Sequence, residues 1–395
     1  MNHPIFRYLV LFLLILSNVF LSGCWDRQEL NDLALVTAAG IDKKSDGTIE
    51  LTVLTIVPKG EIVQQGTGGS SSVKTFVRKA TGKTLAEAMS KLQEILPRQI
   101  FWGICKVFII DEEVAKDGIG SHIDFIMRYP QIRESTNIFI SSVKAKKVLS
   151  LLPPLERDIS EVLRELVSLK IGMDVSTKDL AEMMISESGD LGVPWIKILP
   201  PEKGKGKQTI AYITGTAIFK KDKMIGHIDD SVTRGVLWLR DEIELSTVSL
   251  KPEETDGYIS LKSLNVKTEL IPKIENGKWK IVFKATTEND IIQNSTPLDA
   301  SNPKVANKLQ KLLEKRIEKK VEVALHVVQK DMKADIFGFA EAFHRKYPKI
   351  WKREKNNWDK IYPDVEVSYD IKSHVRRQGM NSINPKFPKN EVKEE

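Results

Sequence analysis

Leu33-Ala34-Leu35-Val36-Thr37-Ala38-Ala39-Gly40-Ile41 and Ile49-Glu50-Leu51-Thr52-Val53-Leu54-Thr55-Ile56-Val57 are two β-branched, apolar runs separated by Ser45-Asp46-Gly47. They read as two strands joined across a turn. Residues 58–72 hold Pro58, Gly60, Gly66, Gly68, Gly69 and three serines, a loop composition. Val73–Val77 reads as a further strand. Thr84 and Glu87 have capping-box spacing ahead of Leu85, Ala88, Met89, Leu92, Ile95 and Leu96, which share one helical face, and Pro97 ends that helix. Ile104–Ile110 reads as a strand, Val114–Tyr129 as a helix, Thr136–Ser142 as a strand and Ala145–Leu152 as a short helix stopped by Pro153-Pro154. Strands spaced by helices predict a sheet with helices packed on it.

Beyond Pro154 the pattern changes. Leu155–Ile171 and Thr177–Ser186 read as helices, the second capped by Ser176 with Asp179 three residues on. Pro194-Trp195, Pro200-Pro201 and the run Lys203-Gly-Lys-Gly-Lys207 read as a linker or exposed loop, which places a domain boundary near 205. The second half opens with Ile210–Phe219 and Met224–Ile228, a hairpin across Lys221-Asp222-Lys223. Strands follow at Gly235–Leu239, Ile259–Leu270 and Lys278–Ala285, the last two joined across Asn276-Gly277, a strong hairpin signal. From Asn302-Pro303 the apolar residues Val305, Leu309, Leu313, Ile317, Val321, Ala324 and Val328 step by four and three. That stripe predicts one amphipathic helix of about 30 residues, roughly 45 Å long, packed across its own sheet. A helix through Tyr347-Pro348-Lys349-Ile350-Trp351 and a strand over Val365–Ile371 complete the pattern.

The expected fold is therefore α+β and multi-domain, with mixed and antiparallel sheets flanked by helices and one long amphipathic helix in the C-terminal domain. The expected divisions are a leader over 1–23, an N-terminal α/β domain over 24–154, a helical or linker segment over 155–205, a C-terminal α+β domain over 206–380 and a polar tail over 381–395.

Upstream of the first strand, Arg7 supplies the one side-chain charge before the almost wholly apolar stretch Tyr8–Leu21. A short positive segment and an apolar core of about 7–15 residues form a secretory leader. A membrane-spanning helix needs about 20 apolar residues, more than this stretch holds. Leu21-Ser22-Gly23-Cys24 resembles the lipobox of bacterial lipoproteins, in which the Cys thiol receives a diacylglyceryl group and the chain is cut just before it. Small residues suit a peptidase cleft, a thiolate is the nucleophile that thioether transfer needs, and two acyl chains suffice for stable anchoring. The expectation is an exported chain held by a lipid on Cys24 at the outer face of a cytoplasmic membrane.

Hydrophobic residues at 41% with mixed charge indicate a folded chain. The formal charge of +7 falls to +6 with removal of Arg7. That excess suits an anionic membrane surface and lacks the clustering of a nucleic-acid binder. The two cysteines are Cys24 and Cys105. With Cys24 lipidated, Cys105 has no partner in the chain and reads as a buried, inert thiol.

Catalytic signatures fail one by one. Gly82-Lys83-Thr84 ends like a phosphate-binding loop, but Val77 stands where its first glycine is required. Ser71 and Ser141 each precede a lysine by three residues, without the Ser-Asp-Asn and Lys-Thr-Gly tripeptides of penicillin-binding enzymes. No Gly-x-Ser-x-Gly occurs. His122, His227, His326, His344 and His374 are too far apart to place two metal ligands on one helix face, so no metal or cofactor site is expected. The mixture Phe343-His344-Arg345-Lys346-Tyr347, Trp351 and Trp358 reads as a helix with aromatics inward and charges outward.

Cys24-Trp25-Asp26-Arg27-Gln28-Glu29-Leu30, followed by Gly40-Ile41-Asp42, resembles the start of mature Ger(x)C spore germination proteins, the C subunits of germinant receptors. Thr81-Gly82-Lys83-Thr84-Leu85, Gly215-Thr216-Ala217-Ile218-Phe219 with Gly226, and Phe337-Gly338-Phe339 with Tyr347-Pro348 and Trp351 extend the resemblance in order along the chain. Ala39 departs from it, where glycine is more usual. The resemblance implies a non-enzymatic, lipid-anchored subunit at the inner spore membrane. Such a subunit acts with an A subunit and a polytopic B subunit to trigger germination in response to nutrients. It also makes Trp25, Asp26, Arg27, Glu29, Gly40 and Asp42 candidate partner-contact positions. Two functions from different classes follow: a coupling subunit without a ligand site, or a solute-binding lipoprotein that itself captures the nutrient in an apolar pocket between domains.

Overall fold

A computed structural model describes residues 30–57, 74–244, 247–253 and 255–377, with single positions at 7, 8, 12, 384 and 386. Most of the expected leader, Cys24, the loop over 58–72 and most of the tail over 381–395 lie outside the described residues.

The chain enters β1 (Leu33–Lys43), turns into β2 (Ile49–Val57) and returns as β3 (Lys74–Gly82). Helix α1 (Leu85–Glu94) follows, its first turn capped by the Thr84 hydroxyl, which accepts from the Glu87 N–H. Glu87 reaches one residue further back than a capping box requires, accepting from the Lys83 N–H at 2.8 Å. Then come β4 (Gln99–Phe101), β5 (Val107–Asp111), α2 (Glu112–Asp117), α3 (Gly120–Arg128), β6 (Asn137–Ser141), α4 (Ala145–Leu149), α5 (Ile159–Ser168), α6 (Thr177–Ile185) and β7 (Leu191–Ile198). The hairpin β8 (Ala211–Lys220) and β9 (Lys223–Asp229) leads into α7 (Asp230–Leu239).

Nine strands make one sheet in the order β3-β2-β1-β5-β6-β7-β8-β9, with β4 beside the start of β1. β1, β5, β6 and β7 run parallel, while the strands at both margins are antiparallel. Helices cover both faces, so β1 is buried along nearly its whole length and reads as a continuous apolar run. Val36 and Ile41 pack into one core, and Ala38 packs with Val148 and Leu163 into a second core on the opposite face.

The second sheet has the order β10-β11-β12-β13, from β10 (Thr247–Leu250), β11 (Ile259–Glu275), β12 (Lys278–Asn294) and β13 (Glu366–Arg377). Asn276 and Gly277, at φ +53° and +76°, form the tight turn between the two 17-residue strands. Helix α8 (Pro303–Ala324) continues as a π-helical segment over Leu325–Asp331. All seven stripe residues from Val305 to Val328 are buried. The polar side of α8 also blunts the sheet edge: Gln310 and Glu314 accept from the Val375 and Ser373 N–H groups of β13 at 3.0 and 2.9 Å. Short helices α9 (Phe339–Lys346), α10 (Pro348–Glu354) and α11 (Trp358–Ile361) close the chain before β13.

Several expectations need correction. Gly235–Leu239 belongs to a helix, not a strand. Asp229 caps α7 by accepting from the Val232 N–H at 3.0 Å. Thr233 and the run from Gly235 to Leu239 are buried together, so the apolar run carries no period. The helix expected over 114–129 is two, broken at Gly118, whose φ of +125° no helix holds. The strand expected over 104–110 begins at Val107, and the one expected over 73–77 runs on to Gly82. The segment over 155–205, expected to be helical or linking, also contains β7. The position near 205, expected as a domain boundary, lies in the β7–β8 loop, and the first sheet continues past it through β8 and β9.

α7 and α8 cross where Gly235 meets Ala324. A methyl at 235 would overlap the Lys320 carbonyl and sit 2.7 Å from the Ala324 Cβ. Gly235→Val should therefore destabilise the fold by at least about 1–3 kcal/mol, the usual cost of overpacking, measured as a lower denaturation midpoint. An unchanged midpoint would mean that the two helices part without cost.

Candidate functional site

Of the positions expected to act, Leu21, Ser22, Gly23, Cys24, Trp25, Asp26, Arg27 and Glu29 lie outside the described residues. Gly40 and Asp42 do not form a surface, which corrects the partner-contact role expected of them. Both are buried at the C-terminal half of β1, where α4 lies against the sheet. A methyl on Gly40 would come within 2.7 Å of the Ala145 Cβ. The Asp42 carboxylate accepts from the Ala145 and Lys146 N–H groups at 2.6 and 3.1 Å, holding the start of α4. Burial pushes the Asp42 carboxyl up to about 6, although these two hydrogen bonds pull the other way. Beside it, Lys144 bridges Asp111, at 2.5 Å, and Glu113.

Cys105 is buried, and burial pushes its thiol up to about 12, so it is an unreactive core residue. Phe343, Trp351 and Trp358 are buried against Trp279 of β12, while His344, Arg345 and Lys346 face outward.

The densest polar constellation lies at the seam between the two sheets, and the sequence reading did not find it. Asp190, just ahead of β7, accepts from the Lys220 ammonium at 2.9 Å, the Lys221 N–H at 3.1 Å and the Asp335 N–H at 2.9 Å. Lys220 also donates to Asp359 at 2.6 Å and to the Lys333 carbonyl at 3.0 Å. Asp335 in turn accepts from the Phe339 and Ala340 N–H groups, at 3.1 and 2.8 Å, and from the Trp358 indole N–H, at 3.1 Å. Burial, reinforced by the charges of Glu341 and Asp190, pushes the Asp335 carboxyl up to about 7 against those hydrogen bonds. Burial lowers the Lys220 ammonium, and the hydrogen bonds and charges of Asp359 and Asp190 outweigh it, leaving its pKa raised. The signals in the sequence were a single acid inside the apolar run Ala334-Asp335-Ile336-Phe337 and another between Gly189 and Leu191.

A cleft of about 930 Å³ opens beside this seam, lined by Glu187, Arg240, Asp241, Glu341 and His344 among others. Many of its polar groups are bonded within the fold, while Glu269 and Arg345 also line it. Glu187 accepts from the Trp351 indole N–H at 2.8 Å and faces His344 Nδ1 at 2.7 Å, and its own N–H donates to Glu341 at 2.8 Å. Arg240 donates to Glu242 and to the Ile336 carbonyl. Asp241 accepts from the Thr268 N–H. These bonds join the two halves, and the Ser186 hydroxyl in the lining is bonded to the Met183 carbonyl, the Ser188 hydroxyl and the Gly189 N–H. Among the described residues no group of three His, Cys, Asp or Glu side chains could hold a metal ion, and no helix is long and apolar enough to cross a membrane.

Residues 26–198 match the family described as spore germination protein N-terminal domain, and residues 214–379 match spore germination B3/GerAC like, C-terminal. Putative spore germination protein YfkR of Bacillus subtilis (strain 168) is 31% identical over 362 residues, covering 89% of this chain and 92% of that protein. The chain belongs to the Ger(x)C family of spore germination proteins. Spore germination protein KC of the same organism is 26% identical over 95% of this chain and 97% of its own length. The crystal structure of the GerBC protein superposes with a TM-score of 0.58 at 18% identity, over 85% of this chain and 96% of that one, and shares the fold. Family membership gives this Ger(x)C chain a role in spore germination, and the names of these relatives describe germination rather than catalysis. Two of the described stretches that carried the resemblance are internal joints. Thr216 meets Thr233 at 3.0 Å between β8 and α7, and Trp351 meets Glu187 across the seam.

Two tests follow. The Asp42 carboxyl is raised in the folded chain from 3.8 to about 6. Below both values neither state pays a penalty. Between them the unfolded chain loses its proton while the folded chain keeps it, so stability falls as pH rises, by about 3 kcal/mol in all. Asp42→Asn should flatten the slope of unfolding free energy against pH between 4 and 6, and an unchanged slope would remove Asp42 as its source. Lys220→Met should cost about 3–5 kcal/mol, because it leaves Asp190 charged and buried without its cation. A loss under 1 kcal/mol in chemical denaturation would show that the seam does not depend on that ion pair.

Proposed function

We propose that this protein is the C subunit of a spore germinant receptor, a non-enzymatic coupling subunit held by a lipid on Cys24 at the outer face of the inner spore membrane. It acts there with the A and B subunits in the response to nutrients. The observation that carries this reading is Leu21-Ser22-Gly23-Cys24 running directly into Trp25-Asp26-Arg27 at the head of a Ger(x)C chain. Engagement of the seam's polar groups inside the fold supports coupling over capture. The cleft beside the seam gives the second reading, direct capture of a nutrient, a specific place.

Cys24→Ala should move the protein from the membrane to the soluble fraction while its fold persists. Full membrane retention without the other subunits would contradict the tether. Calorimetry of the chain with amino acids and sugars should give no binding heat, whereas micromolar binding of one nutrient would favour capture in the cleft.

A further inference from the structure

The chain enters the nine-stranded sheet at Leu33, and two turns gather beside that point. β4 lies along the start of β1, Gln99 against Leu33 and Ile100 against Ala34. The turn from α1 into β4 is fixed by the Gln93 side chain, which donates to the Arg98 carbonyl and accepts from the Ile100 N–H, both at 2.9 Å. The turn after α3 is fixed to the end of β4. There Gln131 Oε1 accepts from the Trp102 N–H at 3.1 Å, and the Tyr129 ring meets Trp102 edge-on at 6.4 Å. Three apolar side chains stand out from these joints. Leu30 is 60% exposed, Ile95 at the end of α1 55%, and Met127 in the last turn of α3 41%. Single exposed apolar residues are ordinary, but these three share the point of chain entry, on turns that hydrogen bonds hold in place.

Charge around them is nearly balanced. Lys91 pairs with Glu87 and Arg128 with Asp124, while Arg98 and Arg133 stand against Asp32, Glu94 and Glu134. A surface of this kind has apolar side chains to insert and little net charge to attract a polyanion. We infer that this end of the sheet is seated on the lipid bilayer, with Leu30, Ile95 and Met127 at the boundary between head groups and acyl chains. Tyr129, half-buried beside Met127, is the type of residue that sits at head-group level.

The length of chain ahead of the sheet selects this end. Exposed leucines occur elsewhere, Leu155 at 93% among them. Leu30, however, is only six residues from Cys24, and six extended residues span at most about 22 Å. The lipid therefore keeps the Leu33 end of β1 near the bilayer. Asp42, nine residues further along β1, lies about 30 Å from Leu33. The seat rests on the lipid tether proposed above, and adds to it the orientation of the body: β1 rises from the bilayer, with α4 and Asp42 at the far end.

The test uses the full lipidated chain in phosphatidylcholine nanodiscs that contain doxyl-labelled lipid. Cys105 is buried and the lipid occupies the Cys24 sulfur, so a cysteine introduced at an exposed position takes a fluorophore there alone. Leu30→Cys, Ile95→Cys and Met127→Cys are labelled in turn, with Lys147→Cys on α4 as the reference at the far end. The lipid should quench the first three labels at least about threefold more than the reference, and high salt should leave that pattern unchanged, because the contact is apolar. Ile95→Glu together with Met127→Glu should free the label at position 30 from quenching, with unchanged thermal unfolding. Quenching no stronger than at position 147, quenching lost in salt, or quenching indifferent to the two glutamates would overturn the proposal. So would shielding of these labels only after the other receptor subunits are added, which would assign the surface to a protein. The mass of the residue at position 24 separates the two readings. An unmodified Cys24 removes the tether and the seat with it, whereas a lipidated Cys24 with unquenched labels removes the seat alone.

Discussion

Asp190 is the acceptor on which the arrangement of the two sheets depends. One carboxylate receives the Lys220 ammonium, the Lys221 N–H of the β8–β9 turn and the Asp335 N–H of the second half. Asp335, placed by that bond, holds the first turn of α9 and the Trp358 indole, and Trp358 sits against Trp279 of β12 at 5.8 Å between ring centroids. A line of contacts thus runs from β7 of the nine-stranded sheet to β12 of the four-stranded one. Hydrogen bonds to charged groups contribute about 1.5–3 kcal/mol each, and a buried carboxylate stripped of its partners costs more than that. Only one register of the halves satisfies these groups together.

Apolar burial supplies the bulk of the adhesion, and the seam supplies its specificity. A single core runs from Val36 of β1 through Trp238 of α7 to Leu313 of α8 and Phe283 of β12. Apolar packing of that extent tolerates sliding. Buried charges with fixed partners do not, because each misplacement leaves a desolvated oxygen or ammonium without a partner.

What the sequence made legible were features set by short-range rules. The stripe from Val305 to Val328 needs only the 3.6-residue period, Asn276-Gly277 only its turn preference, and Ser176 with Asp179 only the geometry of a capping box, which the structure contains complete. What stayed hidden depends on surroundings. α7 is buried on nearly every side, so its composition matches a core strand as well as a helix. The Asp190–Asp335 link joins residues 145 positions apart, and no local pattern announces such a pair. Gly40 and Asp42 stood out as motif residues, but their use, letting α4 approach and holding its first turn, is visible only once the helix is in place.

This internal economy bears on how such a subunit would couple to its neighbours. A hinge between the halves would have to pull Lys220 from Asp190 and Trp351 from Glu187, exposing the Phe339 and Trp358 side chains as it opened. Motion along that line carries both an electrostatic and an apolar cost, so a displacement imposed at one end of the molecule is passed on by the whole body rather than absorbed at the seam. In the coupling role, signals pass between the segment ahead of β1 that would carry the lipid and the outer surface of the body. Partners there would sense position and orientation of a rigid body, which requires no ligand site within it.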